Sequence, residues 1–146
     1  MTATLLLKNA LVIGTMDDQL RELANASVFI RGNKVEAVGP ASELPSEADK
    51  VIDMTGHVLI PGLINTHHHM FQSLTRALPA AQNAELFDWL TALFPVWQNI
   101  TPAMQRAATR TAMAELMLSG CTTAADHAYL YVNGTRLDDS VQAAEE

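Results

Sequence analysis

His67 and His69 are the residues of this chain best suited to chemistry. They stand in the run Asn65-Thr66-His67-His68-His69, directly after Ile60-Pro61-Gly62-Leu63-Ile64. The apolar lead-in reads as a strand. Strands alternate their side chains, so His67 and His69 share one face while His68 takes the other. Two neutral imidazoles side by side at the C-terminal end of a strand can grip one divalent metal ion through nitrogen. A catalytic zinc site needs about three protein ligands and a position left open for water, so this strand supplies part of a set. A solvated histidine tract that binds metal loosely is the competing reading. The tract closes an apolar strand opened by Pro-Gly rather than sitting in a polar tail, which favours the metal site.

The elements that position this pair lie on both sides of it. Residues 4–60 read as short strands: Leu5-Leu6-Leu7, Leu11-Val12-Ile13, then Val28-Phe29-Ile30-Arg31 and Lys34-Val35-Glu36-Ala37-Val38 around the two-residue turn Gly32-Asn33. That turn sets Ile30 opposite Val35 and Val28 opposite Ala37. Ala41 to Asp49 reads as a loop or short helix. Met54-Thr55-Gly56 reads as a second tight connection, between Val51-Ile52-Asp53 and His57-Val58-Leu59-Ile60. From Leu63 the pattern becomes strand, loop, helix, strand. Thr101-Pro102 opens a helix with an N-cap threonine and proline at the first helical position, and Gly120 closes it. Met104, Ala107, Thr111, Ala114 and Leu118 fall on one face of that helix, small enough to lie close against a sheet. Cys121 to His127 is the next buried strand. Strand, helix and strand at this spacing make a βαβ unit with parallel strands. Asp138 to Glu146 reads as a helix with acidic residues in its first turn and no glycine or proline stop.

Val58-Leu59-Ile60-Pro61-Gly62-Leu63-Ile64-Asn65-Thr66-His67-His68-His69 resembles the opening of the amidohydrolase superfamily. There Pro-Gly leads from a small β domain into the first strand of an eight-stranded β/α barrel, and that strand ends in metal-binding His-x-His. The resemblance continues through Met70-Phe71-Gln72-Ser73-Leu74-Thr75-Arg76, Trp89-Leu90, Leu93-Phe94-Pro95-Val96-Trp97, Ala114-Glu115-Leu116 and Gly120-Cys121-Thr122-Thr123 to Asp126-His127. Within the superfamily it is nearest to the cytosine/guanine deaminase and triazine hydrolase branch. The implied fold is α/β: residues 1–60 as part of a small β-sandwich domain, and residues 61–146 as the first strand-helix-strand portion of a TIM barrel. A whole barrel takes about 250 residues, so 146 residues read as the N-terminal third of a larger enzyme. The resemblance also implies one divalent metal ion, zinc or alternatively iron, on His67 and His69. The implied reaction is hydrolysis of a non-peptide C–N bond, the deamination of a purine-like heterocycle of the guanine or 8-oxoguanine type. A triazine hydrolase releasing chloride or an alkylamine is the alternative on the same scaffold, and a non-catalytic fragment is the alternative outside it. The family's catalytic acids and bases come from later strands, so none is expected in this chain.

Around the pair, several residues carry two readings. Gln72, three residues past His69, either reads the edge of a purine-like ring or stabilises its own loop. The stretch Met70 to Ile100 is long for a βα connection and has the character of a lid or binding loop. Trp89 is expected in the core, while Trp97 is a candidate for stacking on a flat substrate as well as for the core. His127 is either pocket lining or a satisfied core histidine. Asp126 is expected to accept hydrogen bonds rather than act as an acid, and His68 to be structural. Cys121 is expected to be inert in a strand and His57 to sit in a turn. Arg76 pairs with substrate or with a nearby carboxylate.

Composition narrows the function classes. The net charge is −7 and no basic cluster occurs, which argues against a nucleic-acid partner. One cysteine cannot form an internal disulfide, which suits a reducing compartment, and it disfavours the cytidine-deaminase class, whose Pro-Cys-x-x-Cys ligands need two. No apolar run approaches the roughly 18 residues of a membrane span. Lys8 after Leu5-Leu6-Leu7 makes a poor signal peptide. The expectation is a cytoplasmic protein with a small heterocyclic substrate and no membrane partner, homo-oligomeric when full length.

Overall fold

A computed structural model describes residues 2–146. The chain divides into two compact units, the first ending at Pro61 and the second running Gly62–Glu146. Among the described residues no helix is long and apolar enough to cross a membrane.

The first unit is one five-stranded sheet: β1 (Thr4–Gly14), β2 (Glu22–Arg31), β3 (Lys34–Pro40), β4 (Lys50–Asp53) and β5 (Val58–Leu59). Its order is β3-β2-β1-β4, with β5 also on β1. The two apolar segments expected as separate strands are a single β1. A bulge divides it, with Lys8 and Asn9 opposing Ser27. Asn9 takes a left-handed φ of 64° there and donates its N–H to Ser27 Oγ at 3.2 Å, which satisfies a group the ladder leaves over. The Gly32-Asn33 turn forms, with positive φ at Gly32 alone among the two. Ile30 pairs with Val35 as expected, but Val28 pairs with Val38 and not with Ala37. The register shifts between Phe29 and Ile30, leaving Glu36 as the extra residue, and its carboxylate accepts from Arg31 Nε at 2.7 Å. The shift carries Val38 against the buried cluster Ala10, Ile13, Ala26 and Val28. The Met54-Thr55-Gly56 turn also forms, with Gly56 at φ 76° and His57 N–H donating to Met54 O at 2.9 Å. It advances the chain instead of reversing it. β4 and β5 run one after the other along β1, both parallel to it.

The second unit holds β6 (Leu63–His68), α1 (Leu86–Trp97), α2 (Pro102–Leu118), β7 (Cys121–Asp126) and α3 (Leu137–Glu145). β6 and β7 pair in parallel, from Leu63 opposite Cys121 to His68 opposite Asp126. The stretch expected as a loop after β6 contains 3-10 turns at Met70–Thr75 and Pro79–Ala81, then α1. Phe71, Leu93, Trp97 and Ile100 form its buried cluster, so it is a packed element rather than a free loop. At the start of α2, Thr101 Oγ1 accepts the N–H of Met104 at 3.4 Å, and Gly120 follows its end at φ 85°. The buried face of α2 is not the expected one. Met104 is 48% and Leu118 89% exposed, whereas Gln105, Ala108, Thr109 and Ala112 are buried. Hydrogen bonds explain how so polar a stripe is covered. Gln105 Nε2 donates to Ser140 Oγ of α3 at 2.8 Å, Thr109 Oγ1 lies 3.3 Å from the same oxygen, and Ser73 Oγ donates to Ala108 O at 3.1 Å.

β6 enters its pairing at Gly62, where a Cβ would collide with the Thr122 side chain. Gly62→Ala is therefore expected to destabilise the protein by about 1–3 kcal/mol, the usual cost of overpacking. The added mutation Thr122→Ala is expected to return part of that loss. Urea unfolding followed by circular dichroism checks both. A Gly62→Ala protein as stable as wild type would show that the strands have room to part.

Candidate metal centre

β6 and β7 end level, and the groups just beyond them meet. His127 N–H donates to His68 O at 2.7 Å, continuing the ladder past Asp126. His67 and His69 project together, as period-two alternation requires, and their Nε2 atoms lie 3.0 Å apart. His69 Nδ1 lies 2.8 Å from His127 O. A carbonyl only accepts, so Nδ1 carries the proton, and the Nε2 of the neutral ring presents its lone pair toward His67. This is how metal-binding histidines are commonly held, with the far ring nitrogen donating to a carbonyl. Two nitrogens at about 2.0–2.1 Å from one zinc ion lie no more than about 4 Å apart. The observed pair meets that limit, and the donors suit a divalent ion that accepts imidazole. Among the described residues no group of three His, Cys, Asp or Glu side chains gathers around one point, so the pair is a partial ligand set.

The neighbouring residues take distinct places. His68 lines the same cleft as His67 and His69 without joining their Nε2 contact, and among the described residues its buried Nδ1 has no hydrogen-bond partner. Asp126, its register partner, accepts Met70 N–H at 3.0 Å through Oδ1, while its buried Oδ2 is likewise unpartnered. The carboxylate thus fixes the backbone immediately after His69. The His127 ring stacks on His67, with centroids 4.2 Å apart and planes 29° from parallel, and its Nε2 lies 3.2 Å from Thr66 O. Gln72 Nε2 donates to Tyr129 Oη at 3.0 Å, and the Tyr129 ring stands edge-on to both His69 and Phe71.

Trp97 is removed from the pocket wall. It is fully buried, its indole N–H donating to Thr75 Oγ1 at 2.9 Å, because Phe71, Trp89 and Phe94 enclose its ring. Trp89 packs against the buried cluster of Phe71, Leu93, Trp97 and Ile100, as expected, and also reaches a cleft of about 390 Å³ lined by His67, His68, His69, Gln72 and Arg76. Arg76 is engaged by Glu115 through two hydrogen bonds, 2.8 and 2.6 Å, which settles its partner as a carboxylate. The hydrogen-bonded Arg76 guanidinium holds the Glu115 carboxyl below its ordinary 4.5, against an opposing effect of burial. Cys121 is buried and its thiol donates to Thr123 O at 3.1 Å. His57 occupies the turn before β5, Nδ1 bonded to Thr55 O at 3.0 Å. Tyr129 and Glu115 were not singled out in the sequence. For Tyr129 the available signal was its position two residues past His127, at the mouth end of a strand.

Residues 58–146 match the model of the amidohydrolase family. The chain belongs to that family. It is 43% identical to the 8-oxoguanine deaminase of Pseudomonas aeruginosa over 94% of this chain and 30% of that protein. It is 33% identical to the hydroxydechloroatrazine ethylaminohydrolase of Pseudomonas sp. strain ADP, over 75% of this chain and 25% of that one. The crystal structure of atrazine chlorohydrolase from Arthrobacter aurescens TC1 complexed with zinc superposes with a TM-score of 0.86 at 28% identity, covering 97% of this chain and 33% of the other. The mixed α/β arrangement of this amidohydrolase is thus that of solved members. The chain spans about 30% of the length of the curated relatives it matches.

Replacing His67 or His69 by Ala in the full-length protein is expected to weaken zinc binding at least about 100-fold, whereas His68→Ala retains it. Metal analysis after dialysis against a weak chelator checks this, and equal loss in all three variants would reveal an unspecific tract. The Arg76–Glu115 pair has its own signature. A carboxyl held below 4.5 contributes stability that is full above that pH and is lost as pH falls through the lower folded value. The stability gap between wild type and Glu115→Gln should hold steady from about pH 7 to pH 5 and close below 4.5, as followed by urea midpoints.

Proposed function

We propose that this chain is the metal-binding opening of a hydrolase that removes an exocyclic amine from a purine-like heterocycle, of the 8-oxoguanine or guanine type. One observation carries the reading. His67 and His69 converge through Nε2 at 3.0 Å while the other nitrogen of His69 is already committed to the His127 carbonyl. The 43% identity to a protein named 8-oxoguanine deaminase supports the substrate class. On this reading residues 1–60 belong to a β-sandwich domain, and residues 61–146 are the first strand-helix-strand portion of a β/α barrel. Barrel enzymes work at the C-terminal ends of their strands, where the histidine pair stands.

His67 and His69 would hold one divalent ion, zinc foremost, with further ligands from elsewhere in the full-length protein. When bound, such an ion supplies Lewis acidity that makes water a competent nucleophile near neutral pH. The chain's own residues supply placement. Trp89 and Gln72 wall the cleft beside the pair, and Tyr129 steadies Gln72 through its hydroxyl. A flat heterocycle fits between such walls, its edge within reach of an amide that can both donate and accept. Arg76 is spent on Glu115 and does not serve the substrate. We place the protein in the cytoplasm as a homo-oligomer.

The triazine hydrolase reading shares every one of these parts, and the likeness to atrazine chlorohydrolase favours it as the second. Leaving groups separate the two. The full-length enzyme is expected to release ammonia from 8-oxoguanine or guanine, and neither chloride nor alkylamine from triazines at comparable kcat/KM. Gln72→Ala is expected to lower kcat/KM for the purine about tenfold with metal content and Tm unchanged. Chloride release as the dominant activity would transfer the assignment to the triazine class.

A further inference from the structure

The two candidate ligands are oriented by different means, and both means belong to one residue. His69 is fixed through its ring nitrogen, whose proton goes to the main-chain carbonyl of residue 127 at 2.8 Å. Among the described residues no hydrogen bond holds the His67 ring by its Nδ1. Its backbone N–H is taken by Asn65 Oδ1 at 3.0 Å, which fixes the main chain and leaves χ1 and χ2 free. What faces the His67 ring is the imidazole of His127, stacked at 4.2 Å and 29°. That imidazole is itself anchored, its Nε2 3.2 Å from Thr66 O on the neighbouring strand. The chain therefore runs Thr66 carbonyl, His127 ring, His67 ring, His69 Nε2, and returns to residue 127 through its carbonyl.

We infer that His127 is a positioning residue that aims both members of the histidine pair, His67 with its ring and His69 with its carbonyl, rather than a contact for substrate. This rests on the reading of His67 and His69 as metal ligands. Three geometric facts support it. The His127 Nε2 is occupied by Thr66 O, so the ring does not offer that atom to a bound molecule. One flat face of the ring is covered by His67. The ring also lies nearer to His67 than to His69, at 4.2 Å against 5.7 Å between centroids, which fits a division of labour between side chain and main chain. A ligand ring free to rotate has to be ordered at the moment of metal binding, and a wall against its face removes that cost beforehand.

The division predicts an asymmetric response. Removing the side chain of residue 127 should loosen His67 alone, since the carbonyl that holds His69 remains. In the full-length protein His127→Ala is expected to weaken zinc binding about 10- to 100-fold. His127→Phe keeps a flat ring against His67 but gives up the anchor to Thr66, so it is expected to recover most of that affinity. Zinc affinity is read by chelator competition, and the cobalt-substituted proteins are compared by their visible d–d absorption, which reports ligand geometry independently of turnover. The cobalt spectrum is expected to change in His127→Ala and to return toward wild type in His127→Phe. The melting temperature of each metal-free protein separates loss of aim from loss of fold. If His127→Ala is unfolded, His127→Phe alone decides, by binding zinc within about fivefold of wild type or not. His67→Ala is the control for the underlying reading. Metal retained by His67→Ala would sink the metal site itself, whereas metal lost by His67→Ala but held at wild-type strength by His127→Ala would overturn only the role of His127. Equal loss in the Ala and Phe variants would also overturn it, because the flat ring would then not be what matters.

Discussion

Because β6 and β7 run parallel and pair from Leu63 opposite Cys121 to His68 opposite Asp126, the two strands finish at the same level. Everything chemical in the second unit depends on that. An antiparallel neighbour would have brought a strand start, not a strand end, beside the histidines. With the ends level, Asp126 reaches Met70 N–H, His127 continues the ladder to His68, and its carbonyl meets His69. Parallel strands need a long crossover, and the crossover here is α2 with the α1 segment ahead of it. The absence of a side chain at Gly62 lets β6 approach Thr122 at the opening of the pairing. Removing any of these would move the histidines without touching them.

The sequence made the βαβ unit legible because its signals are local. Pro-Gly before an apolar run, Thr-Pro at a helix start and glycine at its end each follow from backbone geometry within a few residues. The register of β2 on β3 was half legible. A two-residue turn fixes the first pairs, but nothing in the string announces that Glu36 leaves the ladder to meet Arg31. The buried face of α2 departs from its apolar stripe for a related reason. Apolar periodicity assumes that buried means hydrophobic, whereas Gln105 and Thr109 are buried by hydrogen-bonding Ser140, a residue 31 positions further on than Thr109. Long-range polar partnerships leave no periodic trace.

At the site, the alternation rule pairs His67 with His69, and their Nε2 atoms meet at 3.0 Å. Whether Trp97 joins Trp89 in the core or faces the cleft is not legible in the sequence, because both sit on one helix at a spacing that does not say which turn is covered. Phe71 and Thr75 decide it, by enclosing Trp97 and taking its N–H. Arg76 had an open choice in the sequence, and its carboxylate lay 39 residues away in α2. His127 showed the same limit. Its placement on His67 depends on the pairing of β6 with β7, whose partners lie 58 or 59 residues apart, which spacing alone does not express.

The way β4 and β5 line up along β1 has a consequence for how the first unit meets other molecules of its kind. A sheet edge with a long row of free N–H and C=O groups is a template on which foreign strands grow. Here that edge is four residues of β4, then a turn, then two residues of β5, and no straight run is long enough to seed a ladder. Asp53 further turns its carboxylate back on Thr55 N–H, at 3.1 Å, just where β4 stops. The opposite edge, β3, is bulged at Glu36 and finishes in Pro40, which has no N–H to give. The irregularities that spoil the simple register thus also shorten the straight run that either edge offers to a foreign strand.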